Sequence, residues 1–307
     1  FNSQPIISAQ SDRGVVDSDF GDSITATVTA SGNLTGTTSV VSIEGVASFN
    51  DLAYLATTDG DAFTIRIDDE PTGSGGDLPA LELPTLSADV VATQLSIVQA
   101  VADSRIDDPA DDVVSSVQFE SQPAIAAIDA VGLVDTDFND VISVGLESGG
   151  GNLTGTLTTE SATGIATFSD LTYHANVDGE SFRIAFDDVP GGSGGDLPSL
   201  SERELTADVV ATELTFLTEP SPLQVEINQD FAGAGVTVAA IDDDSAVDTD
   251  HQDEINLLAV ATGTSDSPIS GGQLAAQPSL TVAATEGQAT WTELTFKRED
   301  TIDLLAF

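Results

Sequence analysis

Basic residues are nearly missing from this chain. Its 307 residues carry 7 Lys and Arg against 52 Asp and Glu, a formal net charge of -45. The sole lysine is Lys297. Nucleic acid is thereby excluded as a partner, because phosphate contact needs a basic surface, and anionic membrane surfaces are disfavoured for the same reason. Cysteine is absent, so there is no disulfide framework and no thiol chemistry, and methionine is absent too. There are two histidines, His174 and His251, and no Ser-His-Asp or Cys-His set can be assembled from them. Carboxylates stand everywhere, so none is singled out as an acid/base pair, and the chain reads as non-enzymatic. Aromatics make up 5%, too few for a stacking surface of the kind a glycan-binding module needs. No apolar run approaches the roughly 18 residues that would span a bilayer, and no membrane insertion is expected. The chain opens at Phe1 without the basic and apolar regions of a signal peptide. It therefore reads as an internal segment of a longer secreted protein.

What is present in excess is negative charge. Self-repulsion of this size destabilises a compact state in low salt. Salt screens it, with a Debye length of about 8 Å at 0.15 M, and divalent cations would neutralise it locally. A saline medium is expected, seawater or brine, and an extracellular or cell-surface location.

The chain repeats itself. "VVDSDFGDSI" (15–24) returns as "LVDTDFNDVI" (133–142) and "AVDTDHQDEI" (246–255). "GVASFNDLAY" (45–54) returns as "GIATFSDLTY" (164–173) and "GQATWTELTF" (287–296). "GNLTGT" (32–37) recurs at 151–156, "DDEPTGSGGDLP" (68–79) as "DDVPGGSGGDLP" (187–198), and "ADVVATQL" (88–95) as "ADVVATEL" (207–214). Three units follow: 1–92, lacking an opening strand; 93–211, complete; and 212–307, diverged and lacking its closing strands. The second carries an insertion-like stretch, "VADSRIDDPADDVVSS" (101–116).

Each unit reads as β. Phe63, Ile65 and Ile67 alternate with polar residues, as do Phe182, Ile184 and Phe186 and, in "DSITATVTA", Ile24, Ala26, Val28 and Ala30. A period of two marks half-buried antiparallel strands. In "GVASFNDLAY" the alternation breaks between Phe49 and Leu52, which predicts a bulge or corner. Trp291 stands where Phe49 and Phe168 do, so it reads as a core plug rather than a ligand platform. Asn33 and Asn152 in "NLT" read as turn residues rather than glycosylation acceptors. Short strands with no helical stripe predict an all-β chain of tandem β-sandwiches. "ADVVATQL" is expected to run from the last strand of one unit into the first strand of the next.

These motifs, with Gln4-Pro5 and Gln122-Pro123, resemble the bacterial immunoglobulin-like repeats of very large secreted adhesins and surface proteins. The resemblance covers nearly the whole chain. It implies immunoglobulin-like sandwiches arranged as an elongated rod on a bacterial surface, serving as stalk, spacer or adhesive tip. His251, in place of the phenylalanine of "DTDFND", departs from the pattern.

Two constellations are candidates for Ca²⁺. The D-x-D-x-x-D motif supplies Asp17, Asp19 and Asp22, then Asp135, Asp137 and Asp140, then Asp248, Asp250 and Asp253, with Asp129 and Asp242 just upstream. Carboxylates this dense repel one another unless a cation sits among them, and Ca²⁺ takes 6–8 oxygens in flexible geometry. The bland alternative is a solvated acidic loop. The glycine-rich loop supplies Asp68, Asp69 and Asp77, then Asp187, Asp188 and Asp196. Without a lysine or a following helix it is no phosphate cradle. It is either a long turn that needs positive φ or a clip closed by a cation, and the turn is the favoured reading.

The expected role is a non-enzymatic structural or adhesion segment stiffened by Ca²⁺, whose partners are neighbouring repeats or further copies of itself. A surface or glycan would be met by other parts of the protein. The alternative is a subunit of an extracellular filament, sheath or surface layer built by lateral or strand-addition contacts.

Overall fold

The computed structural model describes residues 1–73, 75–106, 111–192, 194–221, 228–230, 235–261, 274–297 and 302–307, and every regular element among them is a strand. The second repeat is the most fully built. Its larger sheet runs in the order Val113–Val114, Leu205–Asp208, Glu180–Asp188, Val141–Ser148, Thr158–Glu160. Facing residues come from Gln94–Gln99, Ala124–Ile128 and Ile165–Thr167, which form a second sheet, and from the pair Asn152–Thr154 and Thr172–His174. All these neighbours are antiparallel except Val113–Val114, which lies parallel to Leu205–Asp208. The other two repeats reuse the pairing. Ser23–Thr29 pairs with Ala62–Asp69 in the first, and Glu254–Ala261 with Ile302–Ala306 in the third.

Alternation places the core. Phe182, Ile184 and Phe186 are each 0% exposed, and their polar neighbours face outward. Burying each such side chain stabilises the fold by about 1.5–3 kcal/mol. Three apolar clusters result: one around Phe63, Ile65 and Ile67, one around Phe182, Ile184 and Phe186, and one around Trp291. Trp291 is 0% exposed and its Nε1 donates to the Ser279 carbonyl at 2.8 Å, so it is a core plug. Tyr54 stacks on Phe63 and Tyr173 on Phe182, with ring centroids 3.8 and 3.7 Å apart.

The break in "GVASFNDLAY" is a corner. Val46–Ser48 pairs with Ile6–Ser8, whereas Ala53–Leu55 pairs with Asn33–Thr35 in another sheet. The Gln-Pro motif pins that corner. Gln4 Nε2 donates to the Leu52 carbonyl and the Leu52 amide donates back to Gln4 Oε1; Gln122 and Leu171 repeat the exchange. Asn33 and Asn152 open short strands instead of sitting in turns. The insertion of the second repeat adds an edge strand at Val113–Val114, and both valines are buried. Its residues 107–110 lie outside the described set.

The glycine-rich loops are long hairpin connections. In the first, Ile67 pairs with Leu81 across the loop. Gly75 N donates to Asp22 Oδ2 at 2.7 Å, and Leu78 N to Asp69. In the second, Gly194 N donates to Asp140 Oδ2 at 2.8 Å and Leu197 N to Asp188 Oδ1 at 2.9 Å. Glycine is needed for closeness: a Cβ on Gly192 would lie 2.0 Å from the Asp140 carboxyl carbon.

Candidate metal sites where repeats meet

The segments "ADVVAT" connect one repeat to the next, and their first valine is buried: Val90 is 5% exposed and Val209 0%. Its amide is held from the N-terminal side. Val90 N donates to Asp59 Oδ1 at 2.8 Å, and Val209 N to Asp178 Oδ1 at 2.9 Å. Two residues on, the amide is held from the C-terminal side. Ala92 N donates to Asp135 Oδ2 at 2.8 Å, and Ala211 N to Asp248 Oδ2 at 2.9 Å. A direct bond crosses between repeats at both places. Thr136 N donates to Asp59 Oδ2 at 3.0 Å and Thr249 N to Asp178 Oδ2 at 3.1 Å, each reinforced by the threonine hydroxyl. The same geometry thus occurs twice.

These bonds draw carboxylates together. Asp59, Asp135 and Asp137 each present an oxygen within 4.8 Å of the others, and so do Asp178, Asp248 and Asp250. A third group, Asp111, Asp178 and Asp208, adjoins the second. Asp208 is 0% exposed, whereas its first-repeat counterpart Asp89 lies exposed. The cover is the insertion: Ser115 N donates to the Asp208 carbonyl. A span of 4.8 Å is about twice a Ca–O distance of roughly 2.3–2.6 Å, so one hard cation could touch all three oxygens. An all-oxygen set suits Ca²⁺ or Mg²⁺ rather than a softer metal.

Electrostatics at the first of these places are strained. The exposed Asp137 carboxyl is pushed above its ordinary range, first by sharing a hydrogen bond with Asp135, then by the Asp135 charge, by slight desolvation, and by the charges of Asp89 and Asp59. The Thr136 hydroxyl and the Val90 amide hold Asp59 below its ordinary range. An ionised and a protonation-prone carboxyl therefore stand side by side, which a divalent cation would relieve.

The D-x-D-x-x-D motif is accordingly divided. Its first two aspartates, Asp135 and Asp137 or Asp248 and Asp250, face the neighbouring repeat. Its third, Asp22 or Asp140, caps the glycine-rich loop of its own repeat. Asp17 and Asp19 are exposed, and Asp253 is exposed as well. Asp129 and Asp242 cap a turn, accepting the amides of Leu133 and Ala246 at 2.9 Å. Ser11 does the same work for Val15 in the first repeat, so that position needs an acceptor and no charge. Asp68 pairs with Arg66 at 2.5 Å. Asp77, Asp187 and Asp196 are exposed, while Asp69 and Asp188 are buried under their loops. Burial pushes the Asp188 carboxyl upward. Among the described residues, the loop aspartates form no group of three close enough to share an ion.

Asp59, Asp178, Asp111 and Asp208 were not among the expected ligands. Asp59-Gly60 and Asp178-Gly179 did carry a signal, an Asp-Gly pair at matching places in two repeats. Asp208 lies within the repeated "ADVVAT" itself.

Beside the second place, His174 joins two repeats. Its Nδ1 lies 2.5 Å from Asp244 Oδ2, its Nε2 lies 3.0 Å from Thr154 Oγ1, and Ser116 Oγ also donates to Asp244. The order hydroxyl, imidazole, carboxylate is that of a nucleophile relay. The nearest amides are already committed: Gly150 N to Glu180 and Gly151 N to the Tyr173 hydroxyl. Through the bonds to Asp244 the set fastens the second repeat to the third.

Compared with known proteins, the chain matches no family model and no curated protein. No helix among the described residues is long and apolar enough to cross a membrane.

Proposed function

We propose that this chain is a load-bearing run of immunoglobulin-like repeats from a large secreted bacterial surface protein or adhesin, stiffened by Ca²⁺ where the repeats meet. The observation that carries this reading is the recurrence of one carboxylate constellation. Asp59 with Asp135 and Asp137, and Asp178 with Asp248 and Asp250, each combine ligands from two successive repeats. A cation held there would restrict hinge motion, because bending would pull ligands apart. The joining segments support the same reading. Only 209–212 separate strand Leu205–Asp208 from strand Glu213–Thr218, so little free chain is left to flex. On this reading the rod holds a binding tip away from the cell in a salty medium, and it performs no chemistry of its own.

The test is calorimetric unfolding of the whole chain with Ca²⁺, with Mg²⁺ and with chelator, at one fixed ionic strength. A ligand that binds only the folded state raises the midpoint, by an amount corresponding to about 2.7 kcal/mol at a hundredfold excess over Kd. The expected result is a rise with Ca²⁺ that Mg²⁺ does not reproduce and that Asp59→Asn with Asp178→Asn largely removes. If monovalent salt alone gives the same rise, the aspartates are general surface charge and the calcium reading fails.

A further inference from the structure

The hexapeptide "GNLTGT" occurs at 32–37 and again at 151–156, and the fold accounts for nearly all of it. Gly32 and Gly151 are needed for closeness. A Cβ would lie 2.3 Å from the Leu55 carbonyl oxygen in one repeat and 2.2 Å from the His174 carbonyl oxygen in the other. Leu34 packs against the core of the first repeat, and Leu153 is buried in the core of the second. Gly36 and Gly155 hold positive φ, 89° and 110°. Thr37 donates its amide and its hydroxyl to Asp51, at 2.8 and 3.0 Å, and Thr156 does the same to Asp170, at 2.7 and 2.8 Å.

The asparagine is the exception. Asn33 and Asn152 are exposed, and among the described residues neither carboxamide takes part in a hydrogen bond. Duplication of the repeat does not by itself explain them, because exposed positions close by have changed: Ser31 corresponds to Gly150 and Val41 to Glu160. Each asparagine opens a three-residue strand that is paired on one side only among the described residues, Asn33–Thr35 with Ala53–Leu55 and Asn152–Thr154 with Thr172–His174. Residues two apart in a strand share a face. Asn33 and Thr35 thus stand together on the outer face, opposite Leu34, and Asn152 and Thr154 stand together opposite Leu153. Asn-x-Thr with a centre other than proline is the acceptor pattern for an N-linked glycan. No other asparagine of the chain is followed two places on by serine or threonine.

We propose that Asn33 and Asn152 are acceptor sites for an N-linked glycan, at the same place in the first two repeats. The donor is a glycosyl diphosphate carried on a lipid, and the catalyst is a separate transferase. The asparagine Nδ2 attacks the anomeric carbon, and the bond from that carbon to the phosphate oxygen breaks. The lipid diphosphate leaves with the electron pair, one amide proton passes to a base of the transferase, and nothing is oxidised or reduced. The sugars add hydrated bulk without charge to a surface rich in carboxylates. The proposal rests on the secreted reading above and not on calcium.

Two measurements test it. In the first, the whole folded chain is incubated in chelator with a single-subunit oligosaccharyltransferase and a lipid-linked oligosaccharide, and its intact mass is read. Two additions are expected, which peptide masses place at Asn33 and Asn152. Asn33→Gln or Thr35→Ala should each remove one, Thr35→Ser should retain it, and Asn33→Gln with Asn152→Gln should leave none. Before modification that double variant should unfold at the same midpoint as the parent chain, because neither carboxamide holds the fold. A lower midpoint assigns the asparagines to the fold and overturns the proposal. In the second, the same two peptides are read from the chain recovered from the surface fraction of the cells that make it. Glycan mass on both is expected, with conversion of each asparagine to aspartate when a peptide N-glycanase releases it. Bare Asn33 and Asn152 in a chain found at the surface overturn the proposal and leave the calcium-stiffened rod untouched. If the chain is found only inside cells, the secreted reading fails and the first measurement decides: no addition to the folded chain then overturns the proposal.

Discussion

Single residues here are constrained by closeness as much as by charge. Gly192 sits against the Asp140 carboxylate, and Gly194 against the Phe138 ring, where a Cβ would come within 2.3 Å. Gly192→Ala should therefore destabilise the second repeat by about 1–3 kcal/mol, read as a lower urea midpoint with unchanged m. Gly145→Ala, where a Cβ meets nothing within 4 Å, should cost nothing measurable. Asp178 is constrained by its acceptor duty toward Val209 and Thr249. Asp178→Ala leaves the buried Val209 amide unpaired, which costs about 1–3 kcal/mol. Protection from amide exchange should be lost at Val209 and Thr249 first.

Strands and their attachments form the next scale. The added edge strand Val113–Val114 is tied down by Asp112, which accepts from Arg203 Nη2 at 2.8 Å and from Thr206 N at 3.0 Å. Burial alone would raise the Asp112 carboxyl, but Arg203 and Thr206 outweigh it and hold it below its ordinary range. A depressed carboxyl contributes stability that is complete above its unfolded value, near pH 4, and is lost as pH falls through the folded value. Exchange protection at Val113–Val114 should thus be full at neutral pH and decline below about pH 4, while Asp112→Asn should remove that acid step. Because Arg203 is half exposed, the pair is worth about 1 kcal/mol at most. In the third repeat, Trp291 plugs the core, and Trp291→Ala should cost about 3–5 kcal/mol. Native tryptophan emission should be blue-shifted and should report the unfolding of that repeat alone.

For the molecule as a whole, the decisive quantity is how strongly the repeats are coupled. Asp59 and Asp178 each bind backbone from the following repeat, Ala246 of the third repeat packs into the core of the second, and His174 reaches Asp244. If these contacts couple folding, the tryptophan transition of the third repeat and the far-ultraviolet transition of the whole chain should coincide in Ca²⁺. On the reading proposed above they should separate in chelator, since the carboxylates gathered between repeats would then repel one another unrelieved. High monovalent salt should restore part of the midpoint by screening without restoring the coincidence.

Repetition and alternation made the all-β character readable in advance. Period-two patterns in "AFTIRID" and "SFRIAF" predicted strands because a sheet buries alternate side chains whatever surrounds it. The odd step in "SFNDLAY" predicted the corner, and the tryptophan-for-phenylalanine exchange marked a core position. Side-chain carboxylates are another matter. Asp135 and Asp140 belong to one motif, yet the first meets the preceding joining segment and the second meets a loop amide of its own repeat. Asp59 is remote in sequence from Asp135, and His174 is remote from Asp244. Local sequence carries the periodicity that backbone geometry imposes on every residue. Which acidic oxygens share a space depends on how one repeat seats on the next, and that is fixed only when buried valines, crossing threonines and capped amides come together in the folded chain.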